Sequence, residues 1–217
     1  MRTRGMLVGA LLAACVAAPI AATAQTTAAS GTVIVLPTVA AIPGAYATTV
    51  FVRNPNANTM TINVLYYQSD SASPPGNGTP LVCTPLTIAG TRAVQFDLAT
   101  QCSMGATNNF GQLLLVDTTG GTFKTNVFFA YSRAQESNGN GFSVEGFPVG
   151  NFSGQDSDVL GLKRTAGAPH YRSNCFIGAL NEAVDYQIVL RQGETGAPLG
   201  STISGTVAAN HTLRILD

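Results

Sequence analysis

The side chains that could carry out acid–base or nucleophilic chemistry are few and lie far apart in the sequence. The chain contains two histidines, His170 directly after Pro169 and His211 at the entry to a predicted strand. A Ser-His-Asp system needs a histidine that is oriented by a carboxylate and paired with a nucleophile. Neither histidine lies in a Gly-x-Ser-x-Gly context. We therefore interpret both as surface or turn residues, predict no catalytic residue, and expect that the protein is not an enzyme.

The acidic residues give only weak indications of a metal site or a hydrolytic pair. Asp156 and Asp158 place two carboxylates within reach of one cation, but calcium takes about six to eight oxygen ligands and no full loop pattern follows. Sugar hydrolysis needs two carboxylic groups across a cleft, and spacing along the sequence does not bring such a pair together. The candidates are Asp97, Asp117, Glu136 and Glu145. The sequence therefore predicts no metal and no cofactor.

The aromatic side chains allow two interpretations. The densest group lies between residues 123 and 152, and we expect it to form hydrophobic core, with a ligand platform as the alternative. Its members are Phe123, Phe128, Phe129, Tyr131, Phe142, Phe147 and Phe152. Tyr66, Tyr67 and Tyr131 are candidates for a platform that stacks on sugars, although the absence of tryptophan argues against a sugar-stacking module.

The N-terminal segment has the three parts of a secretory signal. An arginine-bearing start is followed by the apolar run 6–22, and the small residues at 22–24 fit a cleavage site. We therefore predict a signal peptide over residues 1–24 and a mature chain that starts at Gln25. A membrane anchor is the alternative, but about 17 apolar residues are few for a span of about 20.

A second processing site competes inside the same run. The sequence Leu12-Ala13-Ala14-Cys15 resembles the lipobox of bacterial lipoproteins, in which the cysteine is lipidated. Against this, the apolar run continues well past Cys15, whereas a lipoprotein usually turns polar there. We expect a secreted, extracellular or periplasmic protein, with an outer-membrane or surface lipoprotein as the alternative. Contact with a membrane is expected only if Cys15 is lipidated.

Charge and composition exclude one class of partner. The formal net charge is +0 at pH 7, and charged residues make up 10% of the chain. Nucleic-acid-binding proteins normally carry a basic patch or excess, so we expect no nucleic-acid partner. The mature chain of roughly 190 residues is long enough for one large β domain or two small ones.

Three cysteines follow the predicted signal peptide. Disulfides are the default in an oxidising compartment, and we predict that Cys83 and Cys102 pair while Cys175 stays reduced and buried. The pairing would be local, because a hairpin of the predicted strands 86–88 and 94–98 returns the chain to its starting edge. Closing a loop of about 20 residues should contribute about 3 kcal/mol. The alternative for Cys175 is a reactive thiol or an intermolecular bridge.

Short β-type runs separated by Gly, Pro and Asn turns fill the mature chain. Predicted strands cover residues 32–36, 48–53, 60–66, 86–88, 94–98, 111–117, 122–131, 142–145, 174–177, 183–190, 202–203 and 212–216. Pro37 should end the first strand, and the turn 118–121 should join two strands in a hairpin. A second turn is expected at 138–141. The pattern predicts an all-β fold, an antiparallel β-sandwich of Ig-like type.

The two ends of the mature chain resemble each other. Residues 49–54 and 61–66 match residues 174–181 and 185–190, and each block continues into a Pro-Leu step and an alternating strand. We therefore predict a partial internal duplication. The predicted units are residues 25–155, a first β-sandwich, and residues 156–217, a shorter β unit that packs on the first or continues it.

The same blocks look like the Ig-like and adhesion-type modules of secreted bacterial proteins. The matching stretches are a strand that ends in an Asn turn at 52–55, an aromatic-bearing strand at 64–67 and a Gly-marked strand pair at 88–91, with 171–174 opening the second unit. The resemblance implies the sandwich fold and an extracellular setting. It implies no site residues.

These observations favour a secreted or cell-surface protein with a structural or adhesive, non-catalytic role. The expected partner is a protein or glycan at the cell surface. The first alternative is a carbohydrate- or peptide-binding module of an envelope assembly, and the second is a hydrolase without a recognisable motif. Fold-level likeness does not choose among them.

Overall fold

The computed structural model describes residues 29–121, 126–151 and 175–215. The strands in these ranges are β1 (Val33–Ala41), β2 (Tyr46–Arg53), β3 (Met60–Gln68), β4 (Leu81–Val82), β5 (Leu86–Ile88), β6 (Ala93–Asp97), β7 (Asn109–Asp117), β8 (Phe129–Glu136), β9 (Gly141–Glu145), β10 (Phe147–Pro148), β11 (Phe176–Gly178), β12 (Val184–Ile188), β13 (Ile203–Val207) and β14 (Thr212–Arg214). Two short helices are described, α1 (Leu98–Gln101) and a 3-10 helix (Val149–Asn151). No helix in the described ranges is long and apolar enough to span a membrane.

Two antiparallel sheets pack face to face and enclose the main core, so the predicted sandwich is confirmed. The six-stranded sheet has the order β10-β1-β7-β3-β4, with β5 also paired to β3, and the four-stranded sheet has the order β6-β2-β8-β9. Strand residues alternate between the core and the outside. Ile34, Ile62 and Leu115 from one sheet meet Val50 from the other, and each is 0% exposed. Burial of such side chains is the main stabilising contribution to the fold.

The first strand continues past Pro37, where the sequence predicted its end. β1 pairs with β7 up to Leu36 and again from Val39, and the register shifts between these two residues. Pro37 therefore lies in a β-bulge, where the missing amide hydrogen breaks no ladder hydrogen bond. A proline interrupts a strand only where the backbone amide at that position would have to donate a ladder hydrogen bond.

The predicted hairpin through residues 118–121 is wrong. β7 lies between β1 and β3 in the six-stranded sheet, whereas β8 lies between β2 and β9 in the other sheet. Asp117 shapes this crossover, because its side chain accepts hydrogen bonds from the amides of Thr119 and Asn126, each at 3.0 Å. The turn at 138–141 is confirmed, since β8 and β9 pair directly across it and Gly139 has φ of 89°.

The predicted hairpin of strands 86–88 and 94–98 is also wrong, although the disulfide between Cys83 and Cys102 is present. β5 pairs with β3 in one sheet and β6 pairs with β2 in the other. Cys83 follows β4, and Cys102 follows α1, which begins where Asp97 caps Leu98 and the next residues. The disulfide therefore joins the segment after β4, which is hydrogen-bonded to β3, to the C-terminal end of α1, which follows β6.

The C-terminal strands form two further antiparallel pairs, β11 with β14 and β12 with β13. They contact the first sandwich at the loop after β3, where the carbonyl of Thr212 accepts from the Asp70 amide at 3.0 Å and from the Ser69 hydroxyl at 2.7 Å. Phe176 packs edge-on against Phe110, with ring centroids 6.2 Å apart. The predicted boundary between residues 155 and 156 falls outside the described residues and stays a prediction.

Candidate functional site

The outward-facing side of the four-stranded sheet carries an uncovered set of aromatic and charged side chains, which we call the outer face. Its residues alternate with core residues such as Val50 and Val52, and strand pairing places them in cross-strand rows. The members are Thr49, Phe51, Arg53, Gln95, Asp97, Phe129, Tyr131, Arg133, Ser143 and Glu145.

A stacked aromatic pair lies at the centre of the outer face. Phe51 and Tyr131 are direct partners on β2 and β8, and their rings are parallel within 6° with centroids 4.5 Å apart. Cross-strand aromatic pairs stabilise a sheet by roughly 0.2–1 kcal/mol. The stacked rings cover one face of each other, and Phe51 is half-buried. Tyr131 remains 45% exposed.

Charged and hydrogen-bonding side chains surround this pair. In the same row, Gln95 lies opposite Phe51 and Glu145 lies opposite Tyr131. In the next row, Arg133 lies between Thr49 and its partner on β9. Aromatic residues together with arginine are enriched in protein–protein interfaces. The outer face can therefore bury apolar area and satisfy polar groups of a partner around it.

The structure separates the three tyrosines proposed as a sugar platform. Tyr66 is 2% exposed and belongs to the main core, where its hydroxyl donates to the Gln68 side-chain oxygen at 2.5 Å. Tyr67 is 8% exposed. Burial raises the pKa of both phenols above the ordinary value. Only Tyr131 is available to a ligand.

The expectation that the dense aromatic group forms core holds for one of its described members. Phe128 is fully buried, whereas Tyr131, Phe142 and Phe147 are among the exposed large hydrophobic residues. Phe129 is half-buried on the outer face. Phe123 and Phe152 lie outside the described residues. Alternation explains why Phe129 and Tyr131 on β8 lie on the side opposite to Phe128, the residue just before that strand.

His211 contacts the carboxylate of Asp70 in the loop after β3. Its Nδ1 lies 2.5 Å from the Asp70 carboxylate. Its Nε2 faces Gly78, where an added Cβ would lie only 2.6 Å away. No hydroxyl or thiol among the described side chains hydrogen-bonds to this nitrogen. The pair therefore links the loop after β3 to the start of β14. His170 lies outside the described residues.

The four candidate carboxylates are not gathered into one reactive site. Asp117 is 1% exposed. Burial tends to raise its pKa, but hydrogen bonds from Thr119 and Asn126 outweigh this and leave the pKa below the ordinary value. Glu145 lies on the outer face, away from the crossover that Asp117 holds.

Asp97 and Glu136 line an open cleft of about 520 Å³ beside the β1–β2 turn. Asp97 is engaged as the N-cap of α1. The Tyr46 hydroxyl donates to Glu136 at 2.8 Å and, with Asn138, lowers the pKa of that carboxyl. A general acid for glycoside hydrolysis has a raised pKa, which is the opposite direction from the shift at Glu136. The described residues contain no group of three or more potential metal ligands, and Asp156 and Asp158 lie outside them.

The cysteines divide as the sequence predicted, with one difference. Cys83 and Cys102 are bonded and almost fully buried. Cys175 is not in a disulfide but is only half-buried, because it lies just before the short strand β11. Burial still raises the pKa of its thiol, which lowers its reactivity. Cys15 lies outside the described residues.

Sequence reasoning missed Phe51 and Arg133 as members of a surface. The alternation of residues 48–53 contained the signal for Phe51, because Val50 and Val52 occupy the opposite side. Its stacking on Tyr131 depends on the β2–β8 register, which the sequence does not reveal. Comparisons with protein-family models, curated proteins and solved structures found no match to this chain.

Proposed function

We propose that this chain is an exported, non-catalytic adhesive β-sandwich that binds a protein partner at the cell surface through its outer face. The observation that carries this proposal is the stacked Phe51–Tyr131 pair, in which Phe51 is half-buried and Tyr131 is exposed, flanked by arginine and carboxylate side chains on the outward side of the four-stranded sheet. Contiguous exposed apolar area with a polar surround is typical of interaction sites. The Ig-like resemblance of the strand blocks is consistent with such a role.

Export is part of the same proposal. The predicted signal peptide over residues 1–24 supports it, and the Cys83–Cys102 disulfide is compatible with an oxidising, extracytoplasmic compartment. Residues 1–28 lie outside the described structure, so this part of the proposal depends on the sequence pattern. The lipoprotein alternative at Cys15 would place the same domain at a membrane surface.

A glycan is the second candidate ligand, because Tyr131 is 45% exposed and lies next to polar side chains of the outer face. Sugar-binding platforms usually present open aromatic faces. Here the two rings cover each other on one side. We therefore favour a polypeptide over a glycan, because the side chains of a polypeptide can pack between the aromatic and charged side chains of the outer face.

The test is a binding selection with the mature protein against a phage-displayed random peptide library, in parallel with a glycan array. We expect selected peptides to lose at least about tenfold in affinity with Tyr131→Ala, since truncation of a central aromatic anchor costs about 2 kcal/mol. Phe147→Ala is the matched control, because Phe147 is 42% exposed and lies in the other sheet. Equal binding by both variants, or selection of glycans alone, would contradict the protein-partner proposal.

A further inference from the structure

The C-terminal strands repeat the pairing of the first sandwich residue by residue. β11 pairs with β14 as β2 pairs with β6, so that Ile177 opposite Leu213 corresponds to Val52 opposite Val94. Likewise β12 pairs with β13 as β3 pairs with β5. The aligned blocks are those that the sequence predicted as duplicated.

The connection before the last strand repeats as well. Thr91 and Asn210 occupy the same position in the turn, and both have positive φ, of 59° and 62°. The Arg92 amide donates to Ala89 at 3.2 Å, and the His211 amide donates to Ala208 at 3.1 Å. A non-glycine residue at positive φ is uncommon, so its recurrence at the same position indicates a shared backbone design.

The two units differ in how well their equivalent apolar positions are buried. In the first unit, Met60, Ile62 and Val64 are at most 1% exposed. Their counterparts on β12 are not buried: Val184 is 40% exposed, and Tyr186 and Ile188 are half-buried. The side of β12 that carries Val184, Tyr186 and Ile188 corresponds to the core side of β3, and we call it the open face. Among the described residues, no element covers it completely.

The first unit shows what covers the equivalent positions. There β7 pairs with β3 along the edge opposite β5, and its Leu113 and Leu115 are 0% exposed in the core. β12 has no strand on the corresponding edge among the described residues. β7 cannot serve both units, because it is paired on both sides, with β1 and with β3.

We propose that the open face binds an extended segment of another polypeptide, with apolar side chains at alternate positions, which pairs with the edge of β12 that no described strand occupies, as β7 pairs with β3. Strand addition of this kind combines backbone hydrogen bonds with pockets for alternate side chains. An unpaired strand edge beside exposed apolar groups is a ready template for it. This site is separate from the outer face and does not depend on the function proposed for that face.

The probe is a fluorescent synthetic peptide with the sequence of residues 109–117, added to the full mature chain and followed by fluorescence polarisation. We expect saturable binding that weakens at least about tenfold with Ile188→Asp, because the charge enters the open face. Gln187→Asp is the matched control, since Gln187 is exposed on the other side of β12 and should leave binding unchanged. A peptide with aspartate in place of both Leu113 and Leu115 should not bind.

Hydrogen–deuterium exchange locates the bound peptide. The proposal predicts new protection of residues 184–189. Absence of binding, equal loss in both chain variants, or protection confined to residues 60–68 would overturn it. It would also be overturned if residues 184–189 were already as protected as residues 60–68 without peptide, or if sedimentation showed that a second copy of the chain closes the open face.

Discussion

At the scale of single residues, Asp117 shows how one side chain directs the chain between sheets. It is buried, and it accepts hydrogen bonds from the backbone amides on both sides of the crossover. A glutamine or leucine at this position would leave those amides without their charged acceptor. Hydrogen bonds to a charged group contribute about 1.5–3 kcal/mol.

We predict that Asp117→Asn lowers the free energy of unfolding by about 2 kcal/mol at pH 7, since an amide offers one acceptor oxygen instead of two. The folded pKa of Asp117 lies below its unfolded value. Its contribution is therefore complete above the unfolded pKa and is lost as the pH falls through the folded pKa. Urea unfolding should show the difference between variant and wild type at pH 7 and a shrinking difference below about pH 4. A difference that is independent of pH would contradict this assignment.

The disulfide supplies a second prediction at this scale. Replacement of both Cys83 and Cys102 by serine should lower the free energy of unfolding by about 3–5 kcal/mol, because the covalent link between the segment after β4 and α1 is lost and two buried positions become polar. Cys175→Ser is the control and should change it by less than about 0.5 kcal/mol. Non-reducing peptide mapping and urea unfolding measure the two properties. A decrease in the free energy of unfolding of less than about 1 kcal/mol for the double variant would show that the disulfide contributes little to stability.

At the scale of elements, the sequence predicted most strands but not their partners. Alternation identified β3 and β6, since one side of each had to enter a core. The same alternation fits a strand in either sheet. It therefore could not predict that the chain passes from one sheet to the other between β7 and β8 and between β5 and β6. The predicted strand end at Pro37 was wrong for a related reason. A proline interrupts a strand only where the backbone amide at its position would need a hydrogen-bonding partner. Within the candidate site, the sequence pattern could have predicted that Tyr131 is exposed. Its contact with Phe51 could not be predicted, because it depends on the register between β2 and β8.

The link between the loop after β3 and β14 is the element-scale prediction. His211→Ala removes the contact with Asp70, which is partly buried. The free energy that holds the β11–β14 pair against the loop after β3 should fall by about 1 kcal/mol. We expect amide exchange in residues 176–178 and 212–214 to accelerate by about fivefold, with residues 33–41 unchanged. Gln187→Ala is the control substitution. Uniform acceleration in all these segments would mean that His211 supports global stability instead.

At the scale of the whole molecule, the described residues combine a sandwich with a C-terminal repeat of part of its strand pairing. The sandwich presents the outer face, whereas the repeat carries apolar side chains on β12 that the described residues cover only partly. Two distinct surfaces on a chain of low charge are consistent with a component of an extracellular assembly. The two surfaces lie on different strands, because the outer face is built from β2, β6, β8 and β9, whereas the open face lies on β12, the counterpart of β3.

Export is tested on the mature protein. Expression of the full chain in a bacterial host followed by N-terminal sequencing should give a start at Gln25 in the periplasmic or extracellular fraction. A lipidated Cys15 would replace simple secretion with membrane attachment. An intact Met1 in the cytoplasm would contradict both.

The central claim is that the outer face is where this protein binds its partner. The most direct measurement is hydrogen–deuterium exchange of the mature protein with and without a saturating concentration of the tightest peptide from the library selection. We predict added protection in residues 49–53 and 129–135, the two strands that carry Phe51 and Tyr131. Protection confined to the other sheet, at residues 60–68 and 109–117, would contradict the claim.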